Sequence, residues 1–110
     1  MRSVYIAGPY TADGTLAETF NILQAAESAA IYLKQGYAVF CPHTMTSIID
    51  RQFNKDKSLT WQDWMLNDIH FLAKCDIIHL LPGWENSKGA TMEYMIAKSL
   101  GLEVRGSIYE

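Results

Sequence analysis

Long hydrophobic runs are missing from this chain. No apolar stretch among its 110 residues approaches the ~20 that a membrane helix needs, and no charged and apolar leader stands before the first strand-like segment. A membrane-spanning protein is excluded on this reading, and a cytosolic one is expected. Cysteine is scarce as well. Cys41 and Cys75 each close or open an apolar run and do not form a close-spaced pair, so both read as buried thiols, with neither a disulfide nor a metal site. An excess of positive charge is also lacking: nine Lys and Arg face twelve Asp and Glu, scattered along the chain, for a net charge of -3. Without a basic patch, a nucleic-acid polymer held electrostatically is excluded, although a small anionic ligand is not. Repeats, low-complexity tracts and linkers are absent too. The whole of 1–110 reads as one domain, long enough to bury roughly 65% of its unfolded surface without staples.

What is present is an alternation of short β-rich runs and helix-period segments. Residues 3–7 (SVYIA) form a first strand ended by Gly8-Pro9, and residues 37–41 (YAVFC) a second, stopped by Pro42. Between them, Thr15 and Glu18 have the form of a capping box. Leu16, Phe20, Leu23, Ala26, Ala30 and Leu33 then supply the apolar stripe of a helix that Gly36 closes with a left-handed cap. Residues 46–50 suggest a short helix, and the charged, polar stretch 51–58 a flap or partner-facing loop. Thr60 and Asp63 open another helix, with Trp61, Met65, Ile69 and Leu72 as its stripe. A third strand over 77–81 stops at Pro82-Gly83 and leads through a polar loop into a helix over 88–100, capped by Gly101. Residues 102–109 give the last strand. The pattern predicts an α/β, flavodoxin-like or Rossmann-like three-layer domain with a small parallel sheet of about four to five strands. Trp61, Trp64, Met65, Met92 and Met95 are many large apolar side chains for so small a sheet, which implies a homo-oligomer, a dimer or larger.

In such sheets ligands gather at the carboxyl ends of the strands, and several chemistry-bearing residues fall there. Gly89, Glu93, Ile96 and Leu100 share one helix face, flanked by Ala90 and Ala97, so the stripe that meets the sheet contains an acid near a helix N-terminus. Desolvation and the helix dipole pull its pKa in opposite directions, which marks a functional candidate against the alternative of a carboxylate reaching solvent at the stripe's edge. Tyr5 lies just before the first strand's end, and by itself reads as a core tyrosine with a satisfied hydroxyl. Asp68 lies in line with Trp64 and Phe71, at the rim between packed and open faces. His43 follows the second strand and reads as a loop or capping histidine within reach of a ligand. His70 and His79 read as structural, and Asp76 as a turn or capping residue.

Assembled, these residues resemble the nucleoside 2-deoxyribosyltransferase superfamily. The resemblance is carried by Val4-Tyr5-Ile6-Ala7-Gly8-Pro9, by Asp68 eight residues before Asp76, and by Ser87-Lys88-Gly89-Ala90-Thr91-Met92-Glu93. Small bacterial and phage domains sharing the phrase LLPGWENSKGA are similar over nearly the whole chain. So, in part, are the 2′-deoxynucleoside 5′-phosphate N-hydrolases. The resemblance implies Glu93 as the nucleophile that attacks C1′ of the sugar, Asp68 as the acid that protonates the departing base, and Tyr5 as the group that orients Glu93. It implies no cofactor and no metal.

The candidate substrate contacts around these positions are Gly8, Pro9, Trp84, Ser87 and Gly89. The nucleoside transferases carry Asp at the place of Ser87, whereas the nucleotide hydrolases carry Ser there, against the 5′-phosphate. A serine at a helix start beside the N–H groups of Lys88 and Gly89 suits an anion, and it is equally a plain N-cap. Pro9 departs from the pattern: the hydrolases have a phosphate-binding Ser there, and proline has neither hydroxyl nor N–H. The transferases also take a polar residue from a neighbour's C-terminal tail, for which Ser107 and Tyr109 are the stand-ins here. Trp84 either stacks on a base or wedges its loop. The expected function is cleavage or transfer at the N-glycosidic bond of a nucleotide or nucleoside. Its rivals are a nucleotide-binding or sensor module using the same pocket, and a protein-interaction domain built on the Trp61 to Trp64 helix.

Overall fold

The computed structural model describes residues 1–10 and 14–106. The order is β1 (Ser3–Ala7), α1 (Thr15–Lys34), β2 (Ala38–Phe40), α2 (Pro42–Phe53), α3 (Trp61–Leu72), β3 (Ile77–Leu80), a 3-10 turn at Trp84–Asn86, α4 (Lys88–Leu100) and β4 (Glu103–Gly106). The four strands pair in the order β2-β1-β3-β4, all parallel. Alternation along the strands divides the core in two. Val4, Ile6 and Ile77 face α1 and pack with Ala25, Ala29 and Tyr32. Tyr5, Ala7, Ile78 and Leu80 face the other way and pack with Leu72 of α3 and with Ala90 and Ala97 of α4. The domain is thus the flavodoxin-like three-layer α/β fold expected of the sequence. The chain runs outward from β1 to β2 and then crosses back past β1 to β3, so the switch point lies at the carboxyl ends of β1 and β3, where a crevice opens.

The helix boundaries show which signals carried weight. Thr60 caps α3 with the capping box read from the sequence: its Oγ1 accepts the Asp63 N–H, and the Asp63 carboxylate accepts the Thr60 N–H at 2.7 Å. Asp76 accepts the backbone N–H of Ser3 at 2.8 Å and so ties the start of β1 to the chain entering β3, and His79, half-buried rather than buried, is satisfied by the Tyr32 hydroxyl 2.7 Å from its Nδ1.

Several expectations are corrected. No Thr15/Glu18 capping box forms. Gly14 is the N-cap of α1, without a side-chain cap bond, and Glu18 turns to Arg51 instead. In α1 the buried residues are Ala25, Ala29 and Tyr32, while Leu16, Phe20, Leu23 and Leu33 of the predicted stripe are exposed. Small side chains let the helix approach the sheet closely, and periodicity could not say which of two apolar faces would be chosen. Pro42 does more than stop β2: it occupies the first turn of α2, where its missing N–H costs nothing. That helix runs through Phe53, so residues 51–53 are not loop. The loop beyond is pinned by buried Asn54, whose amide nitrogen donates to Asp50 and to the Leu59 carbonyl while its oxygen accepts the Leu59 N–H. The α3 stripe is shifted too, to Met65, Asp68 and Leu72, with Trp61 exposed. In α4 the buried line is Ala90, Glu93 and Ala97, with Leu100 outside. Of the last strand, residues 103–106 are seen, and 107–109 lie outside the described residues. Cys41 is buried and Cys75 half-buried, both as free thiols.

Candidate active site

At the switch point lies a cleft of about 570 Å³. Gly8 and Pro9 come from the end of β1, Pro42 and His43 from the start of α2, Trp61, Trp64, Met65 and Asp68 from α3, and Ser87, Gly89 and Glu93 from the start of α4. Each arrives there for a local reason. Gly8 lets the chain turn against Leu81, where an added Cβ would lie 2.6 Å from the Leu81 Cβ. Ser87 caps α4, its Oγ accepting the Ala90 N–H at 3.2 Å, and so holds the free N–H groups of the first turn towards the cleft. Glu93 lies one turn further along, on the helix face that meets the sheet.

Tyr5 is fully buried behind the cleft, and its hydroxyl donates to Glu93 Oε2 at 2.6 Å. This links residues 88 positions apart, which the sequence could suggest only through resemblance. Glu93 is 6% exposed and Asp68 8%. Burial pushes the Glu93 carboxyl up to about 8, with the Asp68 charge adding to the rise and the Tyr5 hydrogen bond opposing it. Burial likewise lifts Asp68 to about 6, opposed by the hydrogen bond that Asn67 Nδ2 donates to its Oδ1. Desolvation, followed by the two adjacent carboxylates, holds the Tyr5 phenol well above its ordinary value. Tyr5 therefore stays a donor at any working pH. The result is a pair of buried acids whose raised pKa values leave one proton between them near neutrality, one of the acids oriented by a phenol, in a cleft large enough for a small organic ligand.

The structure brings together Tyr5, Glu93, Asp68, Gly8, Pro9, Ser87 and Gly89, and it separates Trp84 from them. Trp84 is buried in the core cluster on the α3 and α4 face, its ring 4.8 Å from that of Tyr94. It wedges the loop between β3 and α4 and does not stack on a ligand. The indoles that line the cleft are Trp61 and Trp64, with the Lys88 ammonium 4.2 Å over the Trp61 ring. Neither Trp61 nor Trp64 is buried, whereas Met65, grouped with them in the sequence as a subunit contact, is.

His43, set aside in the sequence as a loop or capping residue, is a buried member of the cleft wall. Its Nε2 lies 3.0 Å from the Pro9 carbonyl and therefore carries the hydrogen. Desolvation holds the ring's pKa below its usual value, so the imidazole is neutral. Its Nδ1, buried and without a hydrogen-bond partner among the described residues, is an acceptor lone pair. A signal for this wall did exist: His43, Ser47, Asp50 and Asn54 repeat on α2 the i, i+4, i+7, i+11 spacing that singled out Glu93 on α4. Among the described residues no three His, Cys, Asp or Glu side chains gather as a metal site requires, and no helix is long and apolar enough to cross a membrane.

Comparison with known proteins agrees with this architecture. No curated protein matches the chain. Among solved structures, the 2-deoxyribosyltransferase of the psychrotolerant bacterium Bacillus psychrosaccharolyticus superposes with a TM-score of 0.64 at 16% identity, over 98% of this chain and 77% of that one. At that identity the match establishes the fold, which is nucleoside 2-deoxyribosyltransferase-like. Residues 2–105 match a family described as a domain of unknown function, DUF4406, and since the match covers nearly the whole chain, the protein belongs to that family.

Proposed function

We propose that this protein breaks or exchanges the N-glycosidic bond of a nucleoside 5′-monophosphate or nucleoside through a glycosyl ester on Glu93. The observation that carries the reading is the 2.6 Å hydrogen bond from Tyr5 to Glu93, at the wall of a cleft that also holds Asp68. The likeness of fold to a 2-deoxyribosyltransferase supports it. A Glu93 carboxylate oxygen attacks C1′, the C1′–N bond breaks through an oxocarbenium-like transition state, and Asp68 delivers its proton to the leaving base. Water then opens the ester, giving hydrolysis, or a second base does, giving transfer. No cofactor enters these steps.

The two pKa values place one proton on the pair between about 6 and about 8, and in the empty cleft that proton rests on Glu93. Catalysis needs it on Asp68. Positive charge developing at C1′ favours the Glu93 carboxylate, and the Tyr5 hydroxyl, already aimed at Oε2, strengthens as that charge forms.

Ser87 keeps its own hydroxyl hydrogen for a ligand while its oxygen caps α4. With the N–H groups of Lys88 and Gly89 it can hold a phosphate or a sugar hydroxyl. Pro9 and Gly8 then serve as floor, since the Pro9 carbonyl is occupied by His43. The deciding experiment is chromatography of free base released from a panel of nucleoside monophosphates and free nucleosides, run beside Glu93→Ala. Release that disappears in the folded variant is the expected result. Release that survives it, or none from any substrate, overturns the reading, and in the second case tight ligand binding without turnover would make the cleft a sensor site.

A further inference from the structure

The cleft is polar in opposite senses at its two ends. At the start of α4 it offers donors: the N–H groups of the first turn, and the Ser87 hydroxyl hydrogen, left over because Oγ accepts the Ala90 N–H at 3.2 Å. The wall made by α2 offers the reverse. His43, Thr46 and Asp50 line it at i, i+3 and i+7, on one helix face over roughly 10 Å of rise. Each has committed its donor elsewhere or has none to give. His43 gives its ring hydrogen from Nε2 to the Pro9 carbonyl at 3.0 Å, and its buried Nδ1 has no hydrogen-bond partner among the described residues. Thr46 gives its hydroxyl hydrogen to the Pro42 carbonyl at 2.8 Å, which leaves the lone pairs of Oγ1. Asp50 accepts from Asn54 Nδ2 at 2.8 Å with Oδ1, and Oδ2 is uncommitted among the described residues. The Asn54 amide has both N–H groups engaged, on Asp50 and on the Leu59 carbonyl. Lys57, on the loop beyond, brings an ammonium to the cleft lining but is exposed, and so belongs to the rim rather than the wall.

We infer, resting on the reading of the cleft as a nucleoside or nucleotide site, that the α2 wall selects a nucleobase carrying an exocyclic amino group, of the adenine or cytosine kind, over its oxo counterpart. Trp61 and Trp64, on the α3 side of the same cleft, supply flat apolar surface for the ring. An amino group brings two N–H donors to a row of lone pairs. The oxo counterpart keeps one ring N–H, so it satisfies one acceptor while setting its carbonyl oxygen against another. An acceptor left facing an acceptor in a buried wall costs more than the missing bond itself. Exchanging amino for oxo changes neither the size of the ring nor its stacking face, so shape makes no distinction between the two. Hydrogen-bonding groups fixed in the wall do.

Calorimetric titration of the Glu93→Ala protein, which keeps the α2 wall and cannot form the ester, tests this apart from turnover. The probes are 2′-deoxyadenosine against 2′-deoxyinosine and 2′-deoxycytidine against 2′-deoxyuridine, each as the nucleoside and as the 5′-monophosphate. The amino member of a pair is expected to bind about 10- to 100-fold tighter. Asp50→Asn in the same background puts an N–H donor in place of a carboxylate oxygen, while its amide oxygen still accepts from Asn54. It should reduce the preference by about tenfold or reverse it. Thr46→Val removes an acceptor from the same wall and should narrow the preference, which provides a second variant should Asp50→Asn fail to fold. Equal binding of the two members, tighter binding of the oxo member, a preference unmoved by the folded variants, or no binding of any probe would each overturn the inference. Base release by the wild type on the same panel is read separately. Release without an amino preference overturns the choice of base and leaves the glycosidic reading standing, whereas an amino preference in binding without release from any probe does the opposite.

Discussion

A carboxylic acid at an apolar cleft wall can meet its burial by keeping a proton or by finding a donor, and Glu93 does both. Its pKa of about 8 against an ordinary 4.5 means that the folded state binds a proton more tightly than the unfolded one. The stabilisation is complete below pH 4.5 and disappears as pH rises to about 8. Glu93→Gln removes the titration while its amide oxygen still accepts from Tyr5. The stability difference between variant and wild type should therefore move in the variant's favour between pH 4 and pH 9, by on the order of 4 kcal/mol. Urea unfolding at the two pH values measures it, and a constant difference would mean that Glu93 is ionised at no cost. Tyr5→Phe tests the other half of the arrangement. The phenol's hydrogen bond lowers the Glu93 pKa, so its loss should move the falling, alkaline limb of the kcat/KM profile to higher pH and reduce the rate 10- to 100-fold. A reduced rate with an unmoved limb would confine Tyr5 to packing.

Among the elements, α4 was the most legible, because its signals agree: Ser87 as N-cap, Gly101 in the left-handed region at φ 80° as C-cap, and an acid on the inward stripe. The candidate residues on it were singled out for that reason. The two glycines beside the cleft looked alike in the sequence, but the structure gives them different jobs. At Gly8 a methyl group would run into the buried Leu81 side chain at 2.6 Å. Gly8→Ala should therefore destabilise by about 1–3 kcal/mol. At Gly89 the same methyl group meets Met65 Sδ at an ordinary 3.6 Å, and alanine is the better helix residue by about 0.8–1 kcal/mol. Gly89→Ala should melt at or above the wild-type temperature, and any activity it loses then measures space taken from the cleft. Thermal melts of the two variants side by side would decide, and a Gly89→Ala protein as unstable as Gly8→Ala would refute the distinction. Trp84 and α2 were less legible. Trp84 sits in sequence beside the site yet turns into the core, a choice made by packing against Tyr94. In α2 the informative residues were polar ones, scattered between apolar residues that periodicity assigns to the interior.

At the scale of the whole molecule, element order and sheet type followed from the alternation of β-rich and helix-period runs, and the cleft's position followed from the parallel topology. What periodicity could not give was the direction in which α1 and α2 face. A helix with apolar side chains all round has one face for its own sheet, and in α1 the alanine face took it because small residues let helix and strands approach. The larger stripe is left for another surface. If that surface is a second copy, folding and association are one equilibrium, and stability depends on protein concentration. Each tenfold increase then adds about 1.4 kcal/mol per dimer, or half that per chain, which for a domain of this length raises the melting temperature by roughly 3–5 °C. Calorimetric melts over a hundredfold concentration range should show that rise in the wild type and lose it in a Phe20→Glu, Leu23→Glu variant. A melting temperature independent of concentration in both would mean that the domain is stable with its apolar face open to water, and that α1 and α2 owe their orientation to the sheet and the cleft alone.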